Sequence, residues 1–205
     1  MDKVHAILMT GNSKKGFING IPKCYVDLPN LDGSGILNSA SFVLSSLNMA
    51  KRVDSITVIG DKECLESKLK LNSVEVKPII KVNQKENASF SDNVEHSYEV
   101  LSKKKYLDEN MGVLYMSGDA PFRRHSAIDD FIERIRDNSD IAISIIEEEH
   151  LKQFFHVFRK PLLPISENGK LKWYKPDDMV FLRPKKIPKN KIEALYQRRR
   201  TDKIR

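Results

Sequence analysis

The sequence predicts an α/β fold, a three-layer sandwich in which helices cover both faces of a mostly parallel sheet. Apolar strand patterns alternate with amphipathic helical patterns through the first 146 residues, the order that builds parallel sheets. After residue 146, short strand patterns follow one another between turns that contain Pro and Gly, which predicts a small mixed β region. A chain of 205 residues is long enough to bury a core of its own.

Periodicity sets the bounds of the predicted elements. Apolar residues three or four positions apart, as in Ala40, Val43 and Leu47, indicate a helix, whereas alternating or continuous apolar runs indicate strands. The predicted strands span residues 4–9, 53–60, 73–80, 112–117, 140–146, 154–159, 171–174 and 179–182, with a short turn or strand at 21–28. The predicted helices span residues 37–50, 62–70, 92–101, 126–137 and 187–200.

The charge of the chain favours anionic partners. The formal net charge is +7 and the pI is about 9.3, a balance that suits nucleotides, nucleic acid or sugar phosphates. Residues 183–205 carry ten Lys and Arg against two Asp and Glu. We therefore expect a main domain over residues 1–182 and a basic C-terminal helix or tail over 183–205, which is either simply solvated or binds phosphate.

Several classes of protein are disfavoured by composition. The sequence has no run of eighteen apolar residues, so we expect no membrane span, and the first apolar run is too short for a signal peptide. Cys24 and Cys64 lie far apart and form neither a disulfide framework nor a metal motif. The five histidines have no zinc spacing. These features predict a cytoplasmic protein.

In open α/β sheets, ligands bind beyond the carboxyl ends of the strands, which selects the loops at 10–23, 60–63, 80–93 and 117–123. The first of these contains small residues, whose amides can approach phosphate oxygens, and lysines, which can neutralise them. An ordinary polar turn would look the same, and the loop lacks both the Walker A and the dinucleotide-binding pattern. The candidate residues are Thr10, Gly11, Asn12 and Ser13 for nucleotide, with Lys14 and Lys15 for charge.

An aspartate follows the fourth predicted strand. Residues 113–117 are apolar and lead directly into Gly118, Asp119, Ala120 and Pro121. Mg²⁺ prefers one or two carboxylates together with phosphate oxygens and water, so a carboxylate fixed at a strand end suits that ion. The alternative is a turn aspartate that caps the loop.

Three segments together resemble the nucleoside-triphosphate transferase superfamily, which includes molybdenum-cofactor guanylyltransferases, cobinamide guanylyltransferases and sugar-phosphate nucleotidyltransferases. These segments are residues 7–12, residues 21–28 with Pro22 and Lys23, and residues 35–37, and the Gly-Asp-x-Pro sequence at Asp119 matches the superfamily's metal-binding motif. The resemblance covers about residues 4–146. Asn12 replaces a glycine of the superfamily's loop, which leaves open which nucleotide is bound.

The resemblance implies a GT-A-like, Rossmann-like fold and transfer of a nucleoside monophosphate from a triphosphate, with GTP or CTP favoured, to a phosphorylated or hydroxyl acceptor. Mg²⁺ would be the cofactor, held by Asp119 and by a second carboxylate, for which Asp178 fits better than Asp177. Both lie in a Pro-Asp-Asp segment that could equally be a turn. Asn93 would lie near the base or ribose, or it would belong to a helix cap with Ser91 and Asp92.

Lys23 would meet the α-phosphate, and Lys14 or Lys15 the β- and γ-phosphates. We expect a monomer or a homodimer. Two other functions remain open at this stage: a glycosyltransferase that uses a nucleotide-sugar, and a non-catalytic module that binds nucleotide or nucleic acid. The absence of an aromatic-rich strand argues against a nucleic-acid partner.

Overall fold

The computed structural model describes residues 3–11, 17–18, 21–29, 35–71, 77–85, 88–104, 111–121, 123–153 and 162–200. The strands are β1 Val4–Met9, β2 Phe17–Ile18, β3 Ile21–Pro22, β4 Asp27–Pro29, β5 Ile36–Asn38, β6 Val53–Gly60, β7 Ile79–Asn83, β8 Val113–Ser117, β9 Ile141–Glu147, β10 Leu163–Glu167 and β11 Lys170–Leu182. The α-helices are α1 Ser39–Met49, α2 Lys62–Ser67, α3 Phe90–Lys103, α4 His125–Arg134, α5 Glu148–Lys152 and α6 Lys189–Arg200.

Among the described residues, seven strands form the sheet at the centre of the molecule. Strands β7, β6, β1 and β8 are parallel neighbours in that order. Strand β11 pairs antiparallel with β8, β9 and β10, so it alone runs against the other six strands. The mostly parallel α/β sheet expected from the sequence is confirmed, with the mixed region at the β11 edge.

Helices cover both faces of this sheet because successive side chains of a strand point to opposite faces. On one face, Ala6 and Leu8 of β1 pack in a core with residues of α1, α2 and α4. On the other face, Ile7 packs in a second core with residues of α3 and α6. The two cores make the three layers that the sequence predicts.

Local hydrogen bonds move several element bounds. Asn38 caps α1 by accepting from the Ser41 amide at 2.9 Å, so the helix begins at Ser39 and not at 37. Ser91 and Asp92 are not the cap of α3. That cap is Ser89, which forms a capping box with Asp92, and the helix begins at Phe90.

Two strand predictions need correction. The strand expected at 73–80 is found as β7, which starts at Ile79 just after Pro78, a residue without an amide hydrogen, and continues to Asn83; residues 73–76 lie outside the described part. The segments 171–174 and 179–182 are one strand, β11, with an irregularity between Pro176 and Val180 where a turn was an alternative. Elements β10 and α5 were not expected.

The other predicted helices are shorter than expected, with α2, α4 and α6 beginning or ending up to three residues inside their predicted bounds. The strand predicted at 154–159 lies outside the described residues. Within the described part of the chain, no helix combines the length and apolar character needed to cross a membrane.

Candidate functional site

A cavity of about 200 Å³ opens where β1, β6, β7 and β8 end, at the carboxyl edge of the parallel strands. Gly11 and polar residues from separate segments of the chain line it, the latter including Lys23, Gln84, Asn93, Asp119 and Glu193. The position is the one that the sheet rule selects from the sequence.

The strand-end aspartate is held by its neighbours in a fixed turn. The Gly118 amide donates to the Met9 carbonyl at 2.8 Å, which extends the β8–β1 ladder. The Ser39 hydroxyl at the start of α1 donates to the Gly118 carbonyl at 2.7 Å. The Ser117 hydroxyl donates to Oδ1 of Asp119. The Asp119 carboxylate is exposed on the cavity wall, where it can meet a ligand.

Thr10 has a structural role through its side chain. It is completely buried, its hydroxyl donates to the Ile59 carbonyl at 3.1 Å, and it accepts from the Tyr25 hydroxyl at 2.8 Å. A Cβ on Gly60 would lie 2.1 Å from Thr10 Oγ1, so only glycine leaves room for this arrangement. Thr10 thus fixes the turn that carries Lys23, and its side chain is not among those that line the cavity.

Lys23 and Cys24 reach the cavity from the short 3₁₀ helix Lys23–Tyr25. The lysine is exposed, whereas the cysteine is buried. Burial raises the pKa of the Cys24 thiol to about 12, and the negative charge of Asp119 adds to the effect. The thiol therefore stays protonated at neutral pH and is not a nucleophile.

Gln84 covers the loop after β1. Its backbone amide donates to the Gly60 carbonyl at 2.8 Å, and an ideal Cβ on Gly11 would lie 2.0 Å from Gln84 Oε1. Gly11 therefore exposes its backbone to the cavity beside an amide side chain.

Asn93 presents a buried acceptor. It lies in the first turn of α3 and is 8% exposed. Its Oδ1 atom has no hydrogen-bond partner among the described residues. A buried acceptor left without a donor costs about 1–3 kcal/mol, so the position favours a bound ligand that supplies an N–H or O–H.

Helix α6 closes the cavity from the far side. The Ser91 amide donates to Glu193 Oε2 at 3.0 Å, and Tyr196 stacks on Phe90 with ring centroids 4.3 Å apart and planes 7° apart. Burial raises the pKa of Glu193, but hydrogen bonds from Gln197 and Ser91 outweigh it and lower the pKa overall. Glu193 is therefore a carboxylate at neutral pH.

The irregularity in β11 separates two neighbouring aspartates. Asp177 is 4% exposed; it accepts from Arg123 Nη2 at 2.5 Å and from the Ser144 hydroxyl at 3.0 Å. Asp178 lies in the wall of an adjoining cavity that also contacts Ser117. Because Met179 pairs with Met116, Asp178 lies level with Ser117, near the strand end that carries Asp119.

The structure thus brings together four of the predicted residues, Gly11, Lys23, Asn93 and Asp119, and places Asp178 in the adjoining cavity. Asn12, Ser13, Lys14 and Lys15 lie outside the described residues. Gln84 was not predicted as a site residue, although it lies in the loop at 80–93 that the sheet rule selects. Glu193 and Tyr196 were not predicted because no motif marks α6 as part of the site, and Glu193 lies 102 residues after its partner Ser91.

The donor set suits a hard cation. Asp119, Asp178 and Ser117 offer oxygen ligands, the kind that Mg²⁺ prefers. No cluster of three or more His, Cys, Asp or Glu able to hold a metal ion is found in the described residues. Mg²⁺ commonly completes its shell with phosphate oxygens and water, so two carboxylates are enough.

No protein-family model matches the sequence, and no curated protein matches it. Solved structures do match. A CMP:2-keto-3-deoxy-manno-octonic acid synthetase complexed with CTP superposes with a TM-score of 0.59 at 15% identity, covering 97% of this chain and 85% of that one.

Two 4-diphosphocytidyl-2C-methyl-D-erythritol synthases also match. One has a TM-score of 0.55 at 14% identity, covering 89% of this chain and 76% of the other. The second, from Anaerococcus prevotii, has a TM-score of 0.52 at 16% identity, covering 96% and 74%. The chain therefore has the α/β fold of these synthetases, which confirms the fold that the resemblance implies.

Proposed function

We propose that this chain is a nucleotidyltransferase that moves a nucleoside monophosphate from a nucleoside triphosphate to a phosphorylated or hydroxyl acceptor and releases pyrophosphate. The observation that carries the proposal is one cavity, at the carboxyl edge of the sheet, that brings together Lys23, Asn93 and Asp119 from three separate segments. A cation, a buried hydrogen-bonding amide and a carboxylate are the groups that a triphosphate, a base and a metal ion need. The fold shared with a synthetase solved with CTP supports it.

We propose an orientation for the nucleotide from the charges of the cavity. At the start of α3, the Ser91 amide donates to the carboxylate of Glu193. A phosphate bound there would be repelled by the negative charge of that carboxylate. Lys23 and Asp119 line the cavity elsewhere. We therefore place the triphosphate near Lys23 and the base near Asn93.

The base is proposed from the free acceptor on Asn93. Oδ1 can accept from an exocyclic amino group, which cytosine, guanine and adenine carry and uracil lacks. The acceptor therefore disfavours UTP, and we place CTP first because a CTP complex is known for the same fold, with GTP as the second candidate from the sequence resemblance. The exposed backbone of Gly11 would contact the same nucleotide.

The reaction is a direct displacement at the α-phosphorus. An acceptor oxygen forms the new P–O bond while the bond to the oxygen bridging the α- and β-phosphates breaks, and pyrophosphate leaves with the electron pair. A phosphate acceptor brings no proton to be removed, and the proton of a hydroxyl acceptor passes to water. Lys23 would neutralise charge at the α-phosphate, and positioning and charge compensation supply most of such catalysis.

A covalent enzyme intermediate is not required. Cys24, the cysteine at the cavity, stays protonated, which removes the obvious nucleophile. Lys14 and Lys15 are proposed for the β- and γ-phosphates, and Asn12 and Ser13 for backbone contacts to them.

Asp119 and Asp178 are proposed to hold Mg²⁺. When bound, the ion would neutralise charge on the phosphate oxygens. Ser117 would orient Asp119, since its hydroxyl donates to one carboxylate oxygen and leaves the other available.

A thermal-shift panel tests the proposal. With Mg²⁺ and a triphosphate at 100 times its Kd, binding adds about 2.7 kcal/mol, which raises Tm by about 5–10 °C for a chain of this size. We expect CTP or GTP to give the largest shift. Lys23→Met should weaken binding about tenfold and reduce the shift by about 3–5 °C, whereas Lys62→Met on α2, outside the cavity, should leave it unchanged.

The same protein is then assayed for its products. Pyrophosphate release from a triphosphate supports the proposed transfer. Release of nucleoside diphosphate from a nucleotide-sugar would replace it by glycosyl transfer, and no shift with any triphosphate would contradict it.

A further inference from the structure

A second cavity, of about 210 Å³, adjoins the cavity at the carboxyl edge of the sheet that contains Lys23, Asn93 and Asp119, which we name the nucleotide cavity. The two share Met9, Phe90, Ser117 and Tyr196 in their walls, so a molecule in one lies next to a molecule in the other. Most of the wall of this second cavity, which we name the side cavity, comes from strands β8, β9, β10 and β11 and from helix α6.

The walls of the side cavity are almost entirely apolar. The residues that line it alone include Met116, Ile143, Leu163, Pro176, Val180 and Leu195. A sugar ring bound against these six residues would lose its water without gaining hydrogen bonds from them, which is unfavourable. Binding of a hydrocarbon or aromatic group there would be favourable, because its apolar surface leaves water.

Polar groups do occur in the side cavity, and they identify its reactive end. Ser117 and Asp178 both contact it. Ser117 also contacts the nucleotide cavity and donates to Asp119. A ligand with one polar end would therefore point that end toward the carboxylates proposed to hold the metal ion.

We infer that the side cavity binds the acceptor and that this acceptor is a phosphate or alcohol carried on an apolar body, an inference that rests on the nucleotidyl transfer proposed above. The apolar body lies against Ile143, Val180 and Leu195. The phosphate or hydroxyl oxygen lies beside Ser117 and Asp178, from which it reaches the α-phosphorus. The acceptor thus differs from a sugar phosphate in its unreactive body, which is apolar and not a sugar ring.

Two phosphate monoesters that differ in the polarity of their six-membered ring test the inference. Phenyl phosphate carries an apolar six-membered ring, and glucose 1-phosphate carries a polar one. Their Kd values are measured by titration calorimetry with Mg²⁺, with and without saturating CTP. We expect phenyl phosphate to bind at least about tenfold more tightly, because its ring leaves water and the sugar hydroxyls meet a mostly apolar wall.

Paired variants locate the binding. Ile143→Asn and Leu195→Asn each make one wall of the side cavity polar and should weaken phenyl phosphate about tenfold. Ile145→Asn is the matched control, since Ile145 is on the same strand, is 41% exposed and is not in the wall. It should change the Kd by less than about twofold. The two variants lie on different elements, so a loss of binding in both is not explained by damage to one element. The CTP thermal shift of each variant checks that it is folded.

Several results would overturn the inference. They are glucose 1-phosphate binding as tightly as phenyl phosphate, neither compound binding, or both wall variants keeping wild-type affinity. CTP is scored separately. Failure of CTP to bind while phenyl phosphate binds as expected would refute the proposed transfer and leave the side cavity as an apolar ligand site. CTP binding with no preference for phenyl phosphate over glucose 1-phosphate would refute the apolar acceptor and leave the proposed nucleotidyl transfer standing.

Discussion

His5 should make the stability of this fold depend on pH. It is 1% exposed, with Nδ1 2.6 Å from the Ser55 hydroxyl and Nε2 2.9 Å from the Thr57 hydroxyl. Burial lowers the pKa of His5 from 6.5 to about 4, although the negative charge of Asp54 acts in the opposite direction. The imidazole is therefore neutral in the folded protein over a range in which it is protonated in the unfolded chain.

The sign and size of the effect follow from linkage. Below pH 6.5 the unfolded chain binds a proton at His5 that the folded protein does not, so stability falls as pH falls, until the folded-state pKa near 4 is reached. The two pKa values differ by about 2.5, which corresponds to about 3 kcal/mol. Between pH 7 and pH 4, His5 should thus remove about 3 kcal/mol from the free energy of unfolding.

The assay is urea unfolding of the wild type and of His5→Gln at several pH values. Glutamine cannot titrate and can keep one of the two hydroxyl contacts, so we expect it to cost about 1–2 kcal/mol at pH 7. By pH 4 the wild type should have lost about 3 kcal/mol of unfolding free energy relative to the variant. The variant should then be the more stable of the two proteins by about 1–2 kcal/mol. A difference that stays constant across this range would refute a neutral buried His5.

Three further substitutions test other contacts. Asp177→Asn breaks a buried ion pair and should lower stability by about 3 kcal/mol in urea unfolding, while nucleotide binding persists; an unchanged midpoint would contradict the pairing. Gly60→Ala should lower Tm measurably, because its Cβ would lie 2.1 Å from Thr10 Oγ1, and a wild-type Tm would show that the contact relaxes freely. Tyr196→Ala removes the stack on Phe90 and should cost about 1 kcal/mol beyond the lost burial, measured against a Phe90→Ala, Tyr196→Ala double-mutant cycle; additive effects would exclude coupling.

Sequence reasoning predicted the centre of the sheet well because burial there enforces a simple pattern. Strand β6, buried on both faces, matched its predicted bounds, and so did β1. The ends of elements were less predictable because single hydrogen bonds decide them. Ser89 begins α3 through a capping box with Asp92, although Ser91 is a residue of the same type only two positions away.

The candidate site was predictable where it follows strand ends and unpredictable where it depends on packing between distant segments. Asp119 and Lys23 could be proposed from motifs. The ion pair between Asp177 and Arg123 was not predictable, because it joins two segments 54 residues apart. Glu193 lines the cavity because α6 packs against α3, where the Ser91 amide donates to it. The sequence predicts a basic helix at α6 but not where that helix packs.

Pyrophosphate release by Asp119→Asn is the most direct measurement of the proposed function. The carboxylate is exposed at a strand end, so asparagine should leave the free energy of unfolding within about 0.5 kcal/mol of wild type. With CTP or GTP, Mg²⁺ and an acceptor that the wild type uses, we expect the rate to fall at least about a hundredfold. Asp54→Asn, an exposed aspartate outside the cavity, should retain the wild-type rate. A folded Asp119→Asn protein that releases pyrophosphate as fast as the wild type would contradict the role of this carboxylate.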